Sequence, residues 1–150
     1  MKLSVLFLMF LEFVGIGGKS NIKTTASTGT LTVIVSNFRN DHGNATVILF
    51  NSEETFPRYP EKAVKIAHTP INNKKSVTVF DNLPAGTYAI SAYHDENNNK
   101  KMDTNFFGVP KEGVGASNNA RGHFGPPKYK DAKFNFNGNS QTITISITYL

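Results

Sequence analysis

Oxygen-bearing side chains alternate along the stretch HDENNNKKMDTNFFG, which runs from His94 to Gly108. Positions 1, 3, 5 and 9 of a loop in this stretch are taken by Asp95, Asn97, Asn99 and Asp103. Alternate residues of a tight loop can all point inward, and Ca²⁺ prefers six to eight oxygen ligands. Position 7, here Lys101, supplies its backbone carbonyl in loops of this type. The spacing therefore predicts a candidate calcium loop, with no other cofactor.

Two positions of this loop depart from the calcium-binding pattern. Position 6 is Lys100 in place of glycine, and position 12 is Phe106 in place of a bidentate glutamate. Lys100 must then adopt a left-handed backbone, or the turn must differ. The acids that could reach in from elsewhere are Asp41, Asp81, Glu96, Glu112 and Asp131. We expect a weak site, with a dissociation constant on the order of 10⁻⁴ to 10⁻³ M. The alternative is an Asx-rich turn that holds no ion.

A histidine precedes the loop and raises the question of catalysis. A zinc site built from His94, His123 and either Asp95 or Asp103 would have a tetrahedral ligand set. However, the four histidines lack an HExxH-like spacing, cysteine is absent, and no serine lies in a nucleophile-elbow motif. We therefore favour a non-enzymatic binding or structural module. The alternative function is a metal-dependent hydrolase that uses His94 and Asp95. The simpler interpretation of His94 is that it lies in the core at the end of its strand.

The passage from Thr104 to Ala132 is rich in Gly, Pro and Asn, yet it contains several aromatic residues. Disordered linkers contain few aromatics, so we expect an ordered loop folded over one end of the sheet. A shallow surface for a peptide, a glycan or another envelope component is predicted from Phe106, Phe107, Asn118, Asn119, Phe124 and Tyr129. The alternative is that these aromatics plug the open end of the sandwich.

Alternating β-branched residues and turn signals predict the fold. The predicted strands span 30–38, 45–50, 61–67, 76–83, 87–94, 132–137 and 141–150, and NDHGN at 40–44 predicts a hairpin turn. About seven short strands favour an all-β fold: an antiparallel immunoglobulin-like or prealbumin-like β-sandwich with one long ordered loop. A small outer-membrane β-barrel is the second alternative, although its strands would need about 9 to 11 residues each.

The first residues predict export. Lys2 precedes an apolar run that ends in small residues, so 1–18 is predicted to be a secretory signal peptide, followed by a flexible leader at 19–29 and the sandwich domain at 30–150. The run is shorter than the roughly 18 to 20 residues of a spanning helix, so no transmembrane anchor is expected. These features predict a periplasmic or secreted protein.

The charge distribution indicates which class of partner to exclude, and the cysteine content indicates how the fold is stabilised. The formal charge is +5, but the lysines are scattered and do not form the dense basic stripe of a nucleic-acid-binding surface, so no nucleic acid is expected as a partner. With no cysteine, stability must come from packing and from the candidate ion.

Two segments carry a family resemblance: LPAGTYAISAYHDENNNKKMDTNFFGVPKEGVGASNNA and FGPPKYKDAKF. They resemble the bacterial exported domain-of-unknown-function family numbered 2141, whose pattern includes a GTYA-type strand, an HDxNxNGxxDTNxxGxPxEG loop, an SNN element and a PPxFxxA segment. The resemblance covers roughly Leu31 to Leu150 and implies an exported β-sandwich with little chemistry. Lys100 replaces the family's loop glycine. LPAGTY also resembles, more distantly, the prealbumin-like sandwiches of carboxypeptidase regulatory and adhesin stalk domains, which is an analogy of fold alone.

Overall fold

The computed structural model describes residues 27–150, so the predicted signal peptide and most of the predicted leader lie outside the described residues. The strands are β1 (Thr28–Ser36), β2 (Asn44–Phe50), β3 (Lys65–Pro70), β4 (Lys75–Pro84), β5 (Gly86–Asp95), β6 (Val114–Ala116), β7 (Phe134–Phe136) and β8 (Ser140–Ser146). Short 3-10 turns occur at Pro60–Lys62 and Ser117–Asn119, and a four-residue helix, α1, spans Tyr129–Ala132. None of the helices in the described range is long and apolar enough to cross a membrane.

The strands form two open sheets. One has the order β4-β1-β8, and the other has the order β3-β2-β5-β6, with β7 also pairing with β5. These pairs are antiparallel except for β1 and β8, which run parallel from Thr30 opposite Ser140 to Ser36 opposite Ser146. The predicted all-β sandwich is confirmed, with one parallel pair in an otherwise antiparallel arrangement.

The connection at 40–44 differs from the prediction. A hairpin is wrong here because β1 and β2 lie in different sheets. The Asp41 carboxylate instead accepts hydrogen bonds from the backbone amides of Asn73 (2.9 Å) and Lys74 (2.7 Å), in the crossing from β3 to β4. Two crossings between the sheets are therefore tied together at this end of the sandwich.

The main core fills the space between the sheets. Its fully buried members follow the predicted alternation and include Leu31, Val33 and Val35 of β1, Val47 and Leu49 of β2, Ile90 of β5, and Ile145 of β8. Each has its side chain on the inward face of its strand, because successive residues of a strand point to opposite faces. Hydrophobic burial of this kind is the principal stabilising term.

A second apolar cluster covers the outer face of the larger sheet. Ala89 and Tyr93 of β5 pack there against Phe56, Ala116 and Ala132, so β5 is buried on both faces. The buried Ser117 hydroxyl accepts a hydrogen bond from the Ile90 amide (2.9 Å) and donates one to the Ala132 carbonyl (2.6 Å). The later part of the long Gly- and Pro-rich passage is thus an ordered cover, as predicted, but it lies over a sheet face.

Candidate site at the loop between β5 and β6

Asp95 ends β5 and closes the loop that follows. Its side chain is buried, at 1% exposure, and one carboxylate oxygen accepts a hydrogen bond from the Asn99 amide (3.1 Å). The other oxygen accepts one from the Lys100 amide (2.9 Å). Both oxygens of this carboxylate are therefore engaged with the backbone of the loop.

The next two predicted ligands form Asx turns. The side-chain oxygen of Asn97 accepts from the Asn99 amide (3.1 Å), and that of Asn99 accepts from the Lys101 amide (2.8 Å). Lys100 has a φ of 61°, so the left-handed conformation expected from the missing glycine is present. Such a conformation costs roughly 1 to 2 kcal/mol in a residue with a Cβ.

Asp103 lies across the loop from these turns. Its carboxylate accepts hydrogen bonds from the side-chain amides of Asn97 (2.7 Å) and Asn99 (3.1 and 3.2 Å). The spacing of positions 3, 5 and 9 thus does bring these three side chains together, while Asp95 holds the backbone on the other side.

Glu112 is the distant acid that reaches the loop. It is buried, and its two carboxylate oxygens accept hydrogen bonds from the backbone amides of Glu96 (3.3 Å) and Asp103 (3.2 Å). Burial raises the pKa of Glu112, and the nearby charges of Asp103 and Asp95 raise it further, against the lowering effect of the two amides. Glu112 therefore joins the start of the loop, at Glu96, to its middle, at Asp103.

Of the other four acids, three lie outside the loop and the fourth, Glu96, begins it. Asp41 lies in the crossing described above, and Asp131 lies in α1. Asp81 accepts a hydrogen bond from the Thr30 hydroxyl (2.8 Å). Glu96 forms a two-pronged ion pair with Arg39, and this hydrogen bonding, with help from Asn40, lowers the pKa of Glu96 to about 2. Glu96 remains ionised at neutral pH and ties the loop entry to the crossing after β1.

The donor set of the loop suits Ca²⁺ chemically, since it consists of carboxylate and amide oxygens. In the observed arrangement the oxygens of Asp95 and Asp103 accept N–H groups, so an ion would have to take over some of these hydrogen bonds. Within residues 27–150, no three side chains drawn from His, Asp and Glu are grouped so that they could hold a metal ion. The loop as described is held by its own amides.

His94 lies in the core at the end of β5. Its side chain is fully buried, Nε2 donates to the His42 carbonyl (2.7 Å), and Nδ1 shares a hydrogen bond with the Tyr149 hydroxyl (2.7 Å). The ring also packs edge-on against Phe38, with centroids 5.0 Å apart. His123 is exposed on another loop. Since both imidazole nitrogens have protein partners, this geometry does not favour the metal-dependent hydrolase.

The predicted binding surface divides into two groups. Phe106, Phe107 and Phe124 are 97%, 85% and 106% exposed, so none of them plugs the end of the sandwich. The remaining three residues of the predicted surface, Asn118, Asn119 and Tyr129, make contacts within the protein.

The inward-acting group fastens the cover over the larger sheet. Asn118 donates from its side-chain amide to the Asp131 and Lys133 carbonyls (3.1 and 3.0 Å). The Asn119 side-chain oxygen accepts from the Ser146 amide (2.9 Å). Tyr129 is half-buried with its ring centroid 5.9 Å from that of Phe56.

The tip of the β5–β6 loop is a braced turn that the sequence reasoning missed. Thr104 and Pro110 form an antiparallel bridge, and the Asn105 side-chain oxygen accepts from the amides of Phe107 (2.9 Å) and Val109 (3.0 Å). The Asn105 amide also donates to the Val109 carbonyl (2.8 Å). The sequence signal for this turn was an asparagine, Asn105, three residues before a glycine, Gly108. Asn side chains hydrogen-bond the backbone of such turns, and Gly108 adopts the positive φ, 77°, that favours glycine.

The fold and the site define a class: an all-β sandwich with a long loop, held by side-chain hydrogen bonds, between two strands of its larger sheet. The family described as "Uncharacterized protein conserved in bacteria (DUF2141)" matches residues 33–144, and the chain belongs to this family. No curated protein matches the chain, and no solved structure matches it. The family resemblance is confirmed.

Proposed function

We propose that this protein is an exported, non-enzymatic β-sandwich that binds a component of the bacterial cell envelope through the β5–β6 loop. The observation that carries the proposal is the display of Phe106 and Phe107 on a turn whose base is held by buried carboxylates. Two adjacent, almost fully exposed phenylalanines on an ordered turn are typical of an interaction site.

Two further features support this proposal. His94 has a structural place in the core, so the residue pair proposed for hydrolysis has no free imidazole nitrogen. The apolar run at 1–18 supports a periplasmic or secreted location. Recovery of the protein in the cytoplasmic fraction of its host would contradict export.

Replacing Phe106 and Phe107 together with alanine should abolish binding to isolated cell envelopes. The physical reason is the loss of the two apolar side chains that a partner would cover. Co-sedimentation of the purified protein with washed envelopes measures the effect. Phe124→Ala is the matched control, since Phe124 is equally exposed on a different loop, and it should bind like the wild type. Equal binding by the double variant would contradict the proposal.

We also propose that Ca²⁺ stabilises the loop through Asp95, Asn97, Asn99, the Lys101 carbonyl and Asp103. With the weak affinity expected, about 10 mM Ca²⁺ would add roughly 1.4 to 2.7 kcal/mol of stability. This corresponds to a rise of about 4 to 10 °C in the melting temperature relative to EDTA. Asp103→Asn should melt at the same temperature in both buffers. An unchanged wild-type melting temperature would contradict the calcium proposal and favour the alternative, an Asx-rich turn that holds no ion.

A further inference from the structure

We infer that the tip of the β5–β6 loop, residues 104–111, inserts into the surface of an anionic lipid bilayer, with Phe106 and Phe107 as the inserted side chains. This inference deepens the proposed function, because it names the chemical class of the envelope component. It depends on the order, shape and charge of the tip.

The tip is ordered before any partner arrives. The Thr104–Pro110 bridge, the hydrogen bond from the Gly108 amide to the Asn105 carbonyl (3.0 Å) and the Asn105 side chain fix the turn. The phenylalanines are therefore exposed by a defined backbone. Binding does not need to order the turn, which removes one of the usual entropic costs of association.

The apex of the tip is apolar and narrow. The rings of Phe106 and Phe107 meet edge to face, with centroids 5.5 Å apart and planes at 87°. Val109 and Met102, a few residues away in the sequence, are also exposed, at 41% and 37%. Two perpendicular rings do not offer the flat stacking platform that a sugar ring prefers, but they form a compact apolar wedge. A wedge of this kind suits the boundary between lipid headgroups and acyl chains, where aromatic side chains are favoured.

Positive charge lies behind the apex. Three lysines near the tip are exposed: Lys100, Lys101 and Lys111. The Lys111 backbone amide donates a hydrogen bond to the Asp103 carbonyl (2.9 Å), and these two residues directly flank the Thr104–Pro110 bridge. In the described part of the chain the salt bridge of this loop joins Glu96 to Arg39, and none of these three lysines forms a salt bridge. An apolar end followed by cationic groups matches the order of layers in an anionic bilayer, with acyl chains beneath negative headgroups.

The acidic side chains of the loop do not oppose this approach strongly. Asp95 and Glu112 are buried at the loop base, and Glu96 is paired with Arg39. The Asp103 carboxylate is half-buried and accepts hydrogen bonds from two side-chain amides. The formal charge of the whole chain, +5, also favours an anionic surface.

The absence of tryptophan from the sequence allows a direct test of insertion. Phe106→Trp places one indole at the tip, and its emission should shift to the blue when vesicles of phosphatidylcholine with about one quarter phosphatidylglycerol are added. Phosphatidylcholine alone should give a smaller shift. Phe124→Trp is the matched control on the other loop and should not shift. An unshifted emission from Phe106→Trp with the anionic vesicles would overturn the inference.

Sedimentation with the same vesicles, in EDTA to prevent bridging by calcium, measures the strength of binding. Phe106→Ala with Phe107→Ala should reduce the partition coefficient on the order of 100-fold, as expected when two phenylalanines no longer leave water. Changing the three lysines to glutamine should weaken binding to anionic vesicles and reduce its salt dependence. Binding that is indifferent to both sets of changes would overturn the inference.

Two other outcomes separate this inference from the proposed function. Binding to isolated envelopes that needs both phenylalanines, without binding to pure lipid vesicles, would keep the proposed function and overturn the lipid assignment. Sedimentation velocity without lipid tests for self-association of the chain. Self-association that disappears in the double alanine variant would show that the tip binds a second copy of the chain, and it would also overturn the lipid assignment.

Discussion

Replacing His94 with alanine is expected to lower the free energy of unfolding by about 3 to 5 kcal/mol. The substitution empties a fully buried site beside Phe38 and leaves two polar groups, the His42 carbonyl and the Tyr149 hydroxyl, without their partner. Urea unfolding followed by circular dichroism measures the change as a lower midpoint with an unchanged slope.

Two variants calibrate this result. Tyr149→Phe removes two hydrogen bonds of the hydroxyl, one with the His94 ring and one from the Arg39 amide, and should cost about 2 kcal/mol. His123→Ala changes an exposed histidine and should lie within about 0.5 kcal/mol of the wild type. A cost at His94 no greater than that at His123 would contradict the core position of the His94 ring.

Asp95→Ala should destabilise the protein by about 2 to 4 kcal/mol even in EDTA. The buried carboxylate accepts hydrogen bonds from two backbone amides at the base of the loop. Alanine leaves the Lys100 amide unpaired, while the Asn99 amide keeps only the Asn97 side-chain oxygen as its acceptor. Relief of the repulsion between Asp95 and Glu112 offsets part of this cost. Thermal unfolding gives the total effect, and amide hydrogen exchange at Asn99 and Lys100 locates it.

Asp103→Ala is the matched control for this prediction. The Asp103 carboxylate accepts hydrogen bonds from exposed side-chain amides, which water can satisfy after the substitution, so a cost below about 1 kcal/mol is expected. Equal costs at the two positions would show that Asp95 does not hold the backbone of the loop.

Most strands could be predicted from the alternation of apolar and polar residues along the sequence, because this alternation is a local property. The alternation in β1, β4 and β8 agrees with the burial of those strands. The sheet to which a strand belongs depends on distant partners, so the turn at 40–44 was recognised but wrongly interpreted as a hairpin. β6 was missed because Val114–Ala116 is only three residues long and contains a glycine.

The same distinction applies to the candidate site. Asx turns form within a few residues, so the spacing of Asp95, Asn97 and Asn99 located them. The sequence could only place Glu112 among five acids, because its contacts depend on how the chain folds back. Asn118 was predicted to face a ligand, but it donates to carbonyls that only the folded cover brings near.

The parallel pairing of the first and last strands affects when the protein can fold. Residue Thr30 of β1 lies opposite Ser140 of β8, so the smaller sheet is complete only after almost the entire described chain has been synthesised. Contacts between such distant residues form slowly, since a long segment must be closed before any stabilisation is gained. We expect the chain to stay unfolded until β8 is available, which is the state that the proposed export would require if it used a channel for unfolded polypeptides.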